Sequence, residues 1–379
     1  MPRLKILEMI DRPFLGGGQR HLLSLAEHLN REEFEVSVCS AGGGPLEERT
    51  RELGLVHYAV AMPKRPLPRS AGALSSLFAS VRFDLVHTHG GVAGLFGRWA
   101  AAENRIPAVV HTLHGIHYLH YRNPLNRRIH IGLERWCSRR TDGIICVSDT
   151  DLNKALRYRL APAEKLTVIK NGIDYNRMGG SVPGPDAAAG IKDKLGVESG
   201  RPVIGTVARL HYQKNIPFLI QAAARVAEAL PDVVLIIVGG GPEEERIHGL
   251  VRELGMERNV ILAGEREDAV ELISLFDMFV LSSRWEGLPY VLMEAGGMAK
   301  AVVATAVDGV AEMITHGENG WLVPAGDGQA FSEALIRLLR DGKERERLGL
   351  ALQAHVREAY TQDRMVKETE RLYRRLLSH

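Results

Sequence analysis

The segment Ser283-Arg-Trp-Glu286-Gly-Leu-Pro-Tyr-Val-Leu-Met-Glu294 places two carboxylates eight positions apart. A carboxylate only accepts hydrogen bonds, so it suits sugar hydroxyls. Gly287 gives the intervening backbone freedom, and Pro289 is placed as a first-turn helix residue. The N–H groups of that turn would point outward and hold a phosphate. Upstream, Arg209 ends an apolar run, and Lys214 follows in Ala208-Arg-Leu-His-Tyr-Gln-Lys-Asn215. One forked and one point-like cation at a strand exit suit a diphosphate. Taken alone, those two residues fit a solvated basic loop as well.

In the first half, Leu15-Gly-Gly-Gly-Gln-Arg20 precedes a helical pattern from His21. Consecutive glycines there let backbone N–H groups approach an anion, and a flexible turn is the equal alternative. The string is no G-x-G-x-x-G, no well-placed acidic residue ends the second strand, and G-x-x-x-x-G-K-[ST] is absent, which weighs against a dinucleotide or phosphate-loop fold. His111-Thr-Leu-His114-Gly115 leaves a strand in a way that lets His114 reach into a cleft and donate to a developing negative charge. A structural histidine is the alternative, and His87-Thr-His89 is the rival candidate. Asp149-Thr-Asp151 has the spacing of a metal-binding D-x-D. It opens a helical stretch directly after a strand, so capping is the better reading and no metal is expected.

Elements that would position these residues recur at regular intervals. Apolar, β-branched runs occur at 4–10, 35–40, 84–89, 108–115, 143–148 and 166–170, then at 203–210, 233–239, 260–264, 278–283, 301–307 and 321–324. Several are apolar throughout, as in Val233-Val-Leu-Ile-Ile-Val238, the pattern of strands buried on both faces of a parallel sheet. Amphipathic stretches such as 21–29, 218–230 and 330–339 lie between them. The chain therefore reads as α/β, with two doubly wound parallel-sheet domains. The Gly- and Pro-rich stretch 178–190 reads as a linker or a long surface loop. In such sheets ligands bind beyond the carboxyl ends of the strands, where the residues above fall.

A length of 379 residues, 45% hydrophobic and 25% charged, fits two folded domains and excludes wholesale disorder. The three cysteines form no C-x-x-C, and no His/Cys cluster has ligand spacing along the chain, so a disulfide scaffold or structural zinc is not expected and a reducing cytosol fits. No apolar run approaches 18 residues, and Glu8 and Asp11 interrupt the N-terminus, so neither a membrane span nor a signal peptide is expected. The net charge of +2 hides an asymmetry. Residues 1–180 carry 25 Lys and Arg against 17 Asp and Glu, and residues 181–379 carry 23 against 29. Halves of opposite sign suggest different partners.

With these residues in order, the chain resembles the family 4 retaining glycosyltransferases of the GT-B fold. The matches run from Gly16-Gly17 through His114, Val147-Ser148 and Lys170-Asn-Gly-Ile-Asp174. They continue with Arg209, Lys214, Val238-Gly-Gly-Gly-Pro242, Gly264-Glu-Arg-Glu-Asp268, Glu286/Glu294 and Gly317-Glu-Asn-Gly-Trp-Leu-Val-Pro324. The resemblance implies two Rossmann-like domains facing an interdomain cleft: an acceptor domain at 1–177, a nucleotide-sugar domain at 178–355, and a helix at 356–379 crossing back to the first domain. It implies that Arg209 and Lys214 neutralise the donor diphosphate, assisted by backbone N–H of Gly16 or Gly17 and of Gly287, Leu288, Pro289, Tyr290 and Val291 as a segment. Glu286 would bind the donor sugar, Glu294 the ribose, and Arg266 the base, largely through backbone. His114 would hydrogen-bond the sugar near its 6-position. The reaction would be retaining hexosyl transfer with no metal or other cofactor, from UDP more than GDP. Gly297 and Ala301 depart from the family's usual Ala and Pro, which bears on local packing.

Six arginines and one glutamate lie between His117 and Arg140, with Tyr118, Tyr121 and Trp136 among them. Asn123-Pro124 is a helix start. At helical spacing Arg128, Arg135 and Arg139 share one face, beside Ile129, Leu133 and Trp136. With Lys64-Arg65 and Arg69, this could dock on anionic lipid, for a lipid-linked or cell-envelope glycan acceptor on the cytoplasmic membrane face; an ordinary amphipathic helix is the plainer alternative. No nucleic-acid module is visible. The competing functions are a catalytically idle sugar-nucleotide-binding protein, a GT-B phosphorylase or epimerase, and a dehydrogenase, which lacks its glycine fingerprint.

Overall fold

The computed structural model describes residues 2–62, 68–180 and 182–378. They form two compact units, Met1–Asn171 with Gln362–His379, and Gly172–Thr361. The first unit holds strands β1 (Leu4–Ile10), β2 (Phe34–Ser40), β3 (Val56–Ala59), β4 (Leu85–His89), β5 (Ala108–Leu113), β6 (Gly143–Cys146) and β7 (Leu166–Val168), in the order β3-β2-β1-β4-β5-β6-β7. The second holds β8 (Val203–Val207), β9 (Val234–Val238), β10 (Val260–Gly264), β11 (Met278–Leu281), β12 (Ala301–Thr305) and β13 (Trp321–Val323), in the order β10-β9-β8-β11-β12-β13. Every pairing is parallel, because each crossover contains a helix. Chain order reverses beside β1 in one sheet and beside β8 in the other, which sets a ligand crevice at each carboxyl edge.

The structure differs from the sequence expectation in four places. Strand β3 carries no apolar run; it is a four-residue edge strand, half exposed, and pairs only with β2. The stretch read as a linker is largely helical, at Tyr175–Gly179 and Pro185–Lys194. Asp174 caps the first by accepting from the Asn176 and Arg177 N–H groups, and alanines favour the second. The first boundary falls at 171/172 rather than 177/178, because Tyr175 and Met178 pack against Gly297 of the second unit. The second falls at 361/362 rather than 355/356, where a bridge joins Ile173 to Thr361.

Gly297 sits in that contact for a steric reason. A Cβ there would lie 2.3 Å from the Met178 thioether methyl and 2.8 Å from the Tyr175 ring. The departure from the family pattern thus accommodates the short helix beside it.

The helix Gln362–Leu377 closes the first unit. Met365, Val366, Leu372 and Tyr373 are buried in the same cluster as Ile6, Leu22, Leu85 and Ile145. The helix Pro124–Ser138 is fixed from its inner side by Glu134, which accepts two bonds from Arg98 at 2.7 and 3.1 Å. Their side chains are only 2% and 8% exposed. Removing one partner strands a buried charge, so Glu134→Ala is expected to destabilise the chain by ~3–5 kcal/mol in chemical denaturation. A loss below ~1 kcal/mol would mean that Arg98 finds water instead.

Candidate functional site

In the second unit the site is assembled at the carboxyl ends of β8, β11 and β12. After β8 the chain runs beside the Gly239–Gly241 loop, with Ala208 N–H donating to Val238 O and Leu210 N–H to Gly240 O. That pairing explains the strand-like sequence, although β8 itself ends at Val207, two residues before Arg209. Arg209 is exposed. A single turn at Tyr212–Lys214 then brings Lys214 Nζ to 2.5 Å from Glu286 Oε1.

Glu286 is buried and held from several directions. Ser283 Oγ donates to Oε1 at 2.5 Å, Gln213 Nε2 approaches Oε2 at 3.4 Å, and the Glu286 N–H donates to Asp308 Oδ2 at 3.3 Å. The Arg284 guanidinium donates to Asn215 Oδ1 and lies over the Tyr212 ring at 4.4 Å, so the loop after β11 is clamped to the loop after β8. A buried carboxylate beside an ammonium sets an acceptor suited to hydroxyls next to a compact cation suited to an anion.

Gly309 sets the position of this loop. A Cβ on Gly309 would lie 1.8 Å from Gly287 O, a backbone atom with no rotamer to yield. Gly309→Ala is expected to displace the Glu286-Gly287 turn and to weaken binding of UDP, the nucleotide the sequence resemblance implies, at least tenfold by calorimetry. Unchanged affinity would show that the turn shifts without consequence for the site.

The helix after this turn spans Tyr290–Gly297, with Pro289 at its N-cap rather than inside its first turn. The cap is extended, which proline's fixed φ allows. Proline has no N–H to offer an anion, so within 287–291 donation is left to Gly287, Leu288, Tyr290 and Val291. Glu294 is the fifth residue of the helix and is buried. Arg266 lies in the turn after β10, where Asp268 accepts two bonds from its guanidinium at 2.7 and 2.6 Å, leaving its backbone for other contacts. Asp308, Ser283 and Gln213 were not anticipated; Asp308-Gly309 after a buried strand was the one signal for them.

The first unit has its own polar centre at the carboxyl ends of β1, β4 and β5. The helix begins at Gly17, with Gly16 as its extended N-cap, so the glycines form the first turn instead of preceding it. This turns His21 inward, where its ring packs edge-on against His114 with centroids 4.8 Å apart. His89 Nδ1 lies 3.1 Å from His114 Nε2, and His89 Nε2 lies 2.7 Å from Glu8 Oε2. Tyr373 donates to Glu8 Oε1 at 2.7 Å, and His87 lies between Tyr373 and Thr112. The rival histidines at 87 and 89 are thus the support of His114. Burial, with the nearby His21 and His89 rings, holds His114 well below the ordinary histidine pKa, so it is neutral.

No His/Cys cluster has ligand spacing along the chain, yet the fold makes one in space. Ligand atoms of His21, His89 and His114 lie within 4.8 Å of one another, as do those of Glu8, His87 and His89. Glu8, fully buried between apolar neighbours in the central strand, was the sequence signal for this network. Ser148, rather than either aspartate, caps the helix Asp149–Arg157, while Asp149 pairs with Lys170.

On the helix Pro124–Ser138, Asn123 accepts from the Leu125 and Asn126 N–H groups. Leu125, Ile129 and Leu133 form an exposed row, 63%, 49% and 40% accessible, near exposed Arg122 and Arg128. The apolar face therefore runs through Leu125, with Trp136 half-buried beneath Arg140. Arg135 is tied to the Tyr158 and Arg159 carbonyls. Lys64 and Arg65 lie outside the described residues, as does the Arg69 side chain. No helix among the described residues is long and apolar enough to cross a membrane.

Comparison with known proteins places these features in a lineage. Residues 189–353 match the family described as glycosyl transferases group 1, and residues 15–177 match glycosyltransferase family 4. EpsD of Bacillus subtilis, a glycosyltransferase by name, is 30% identical over 73% of this chain and 72% of its own. The UDP-Gal:alpha-D-GlcNAc-diphosphoundecaprenol alpha-1,3-galactosyltransferase of Escherichia coli is 27% identical over 89% of both chains. The crystal structure of Anabaena HepE in complex with UDP-glucose superposes with a TM-score of 0.86, at 24% identity over 98% of this chain and 99% of that one.

Proposed function

From the premise that this chain belongs to the group 1, family 4 glycosyltransferases of the GT-B fold, we propose that it moves a hexosyl group from a UDP-sugar to an acceptor hydroxyl with retention and without a metal. The observation that carries this reading is the Lys214–Glu286 pair, poised at 2.5 Å where two strands of the second unit end. In this mechanism Arg209, Lys214 and the helix start at Tyr290 stabilise the departing diphosphate electrostatically. The bond from the anomeric carbon to the phosphate oxygen breaks as the acceptor oxygen bonds to that carbon on the same face. The acceptor proton goes to the leaving phosphate, so no protein nucleophile is required. Glu286 holds the sugar, Glu294 the ribose, Arg266 the base by its backbone, and Gly16 and Gly17 assist the diphosphate. His114 is assigned to the transferred sugar.

A thermal-shift series with UDP, GDP, ADP and their sugars, with and without EDTA, tests the donor side. A UDP-sugar shift unaffected by EDTA is expected; no shift with any nucleotide at millimolar concentration would overturn it. The EDTA arm also tests the histidine cluster, because loss of the shift on chelation would mean an ion is required.

The acceptor in this reading is a lipid-linked or cell-envelope glycan at the cytoplasmic face of a membrane. Its support is the exposed Leu125/Ile129/Leu133 row beside arginines, and the diphosphoundecaprenol substrate in the name of the Escherichia coli relative. Co-sedimentation with anionic vesicles at low salt is expected to exceed that with neutral vesicles and to fall in Ile129→Glu. Equal recovery from both vesicles would sink the membrane reading.

A further inference from the structure

The buried network beneath His114 contains one carboxylate among its described residues, and that anion dictates where its hydrogens lie. Burial alone would raise the Glu8 carboxyl, but His87 and His89 outweigh it and hold the group well below the usual carboxylate range. Burial pushes His89 down to about 4, so the pair is a carboxylate and a neutral ring. An ionised carboxylate has no proton to give, so across the 2.7 Å contact His89 donates from Nε2. A neutral imidazole protonated at Nε2 keeps its lone pair at Nδ1. That lone pair faces His114 Nε2 at 3.1 Å, so His114 must donate there. His114 Nδ1 is then an acceptor, and it makes no hydrogen bond among the described residues.

The other groups around the ring do not change this outcome. His21, on the helix Gly17–His28, is kept neutral chiefly by burial and bonds to Asn171 through Nδ1. His111, earlier on β5, is likewise kept neutral by burial and bonds to Thr88. Tyr373, from the C-terminal helix, donates to the other Glu8 oxygen, Oε1, while His87 Nδ1, on β4, lies 3.2 Å from the same Oε2 as His89, whose two lone pairs can serve both rings.

We propose that Glu8 and His89 are positioning residues that lock His114 as its Nε2–H tautomer, so that it accepts a hydrogen bond from a hydroxyl of the transferred sugar. The inference rests on the assignment of His114 to that sugar, and it reverses the expectation that this ring donates. It also defines a donor class. A hydroxymethyl sugar supplies the required O–H, whereas a hexuronate would set its carboxylate against a lone pair.

Side-chain NMR of the full chain with 15N-labelled histidine tests the tautomer without any substrate. His89 and His114 are both expected to carry hydrogen on Nε2, with unprotonated Nδ1, from about pH 6 to about pH 8. His114 protonated at Nδ1 in the wild-type chain would overturn the proposal, even if every variant failed to fold. His89→Leu removes the acceptor. It is expected to mix the His114 tautomers, lower kcat/KM with UDP-glucose roughly tenfold and narrow its preference over UDP-glucuronate. His89→Asn places an amide oxygen where Nδ1 stood and is expected to recover most of that loss. An unchanged His114 tautomer in a folded His89→Leu variant would also overturn the relay. If the tautomers are as expected but no UDP-sugar binds, the relay stands and the donor reading falls.

Discussion

Lys214→Ala is expected to lower kcat/KM by roughly 10²–10³-fold, the scale for removing one group from a preorganised anion site. The same variant is expected to lose the UDP thermal shift. Two effects combine. The diphosphate loses a compact cation that backbone N–H groups cannot replace, and Glu286, only 6% exposed, keeps its charge without its ammonium partner. Lys214→Arg should recover little, because a planar fork does not fit where a 2.5 Å point contact has formed. Steady-state kinetics with UDP titration checks both variants. A loss below about threefold would assign the diphosphate to other groups, Arg209 first.

Glu286→Gln is expected to produce the opposite division. UDP affinity should stay within about threefold of wild type, while transfer falls roughly 10²-fold. The amide can keep the Ser283 contact, but it loses the charge that strengthens bonds to sugar hydroxyls. Calorimetry with UDP and with the intact UDP-sugar separates the two quantities. Equal weakening of both ligands would mean that Glu286 acts on the diphosphate through Lys214, and that its assignment to the sugar is wrong.

The two sheets were legible because a parallel strand buried on both faces must be apolar throughout. β9 shows this, with five buried residues in succession. β3 lacked the signal because an edge strand needs only half its surface covered. The short helices after Asp174 were hidden by Gly and Pro, which mark turns on average but here flank a capped turn and an alanine run. The second-unit residues Arg209, Lys214, Glu286 and Glu294 could be named because charged groups after apolar strands must face the crevice edge. Their closeness could not be read, since Lys214 meets Glu286 across 72 positions. The histidine network was less legible still. Glu8, His21, His89, His114 and Tyr373 come from five separate segments; the pairing of β1 with β4 and β4 with β5 brings Glu8, His89 and His114 together, and the helix after β1 adds His21. Tyr373 arrives from the far end of the chain.

That arrival has a consequence for biogenesis. Residues 172–361 form one uninterrupted stretch, whereas the unit containing β1 needs Met365, Val366, Leu372 and Tyr373 to fill its core. On a ribosome, chains ordinarily mature from the amino end. Here the core of the earlier-synthesised unit stays incomplete, with Phe34 and Leu85 lacking their cover, until residues 365–373 have emerged. The later-synthesised unit can settle first. Completion of the first unit's core therefore follows translation of the helix Gln362–Leu377, and only then can Tyr373 reach Glu8.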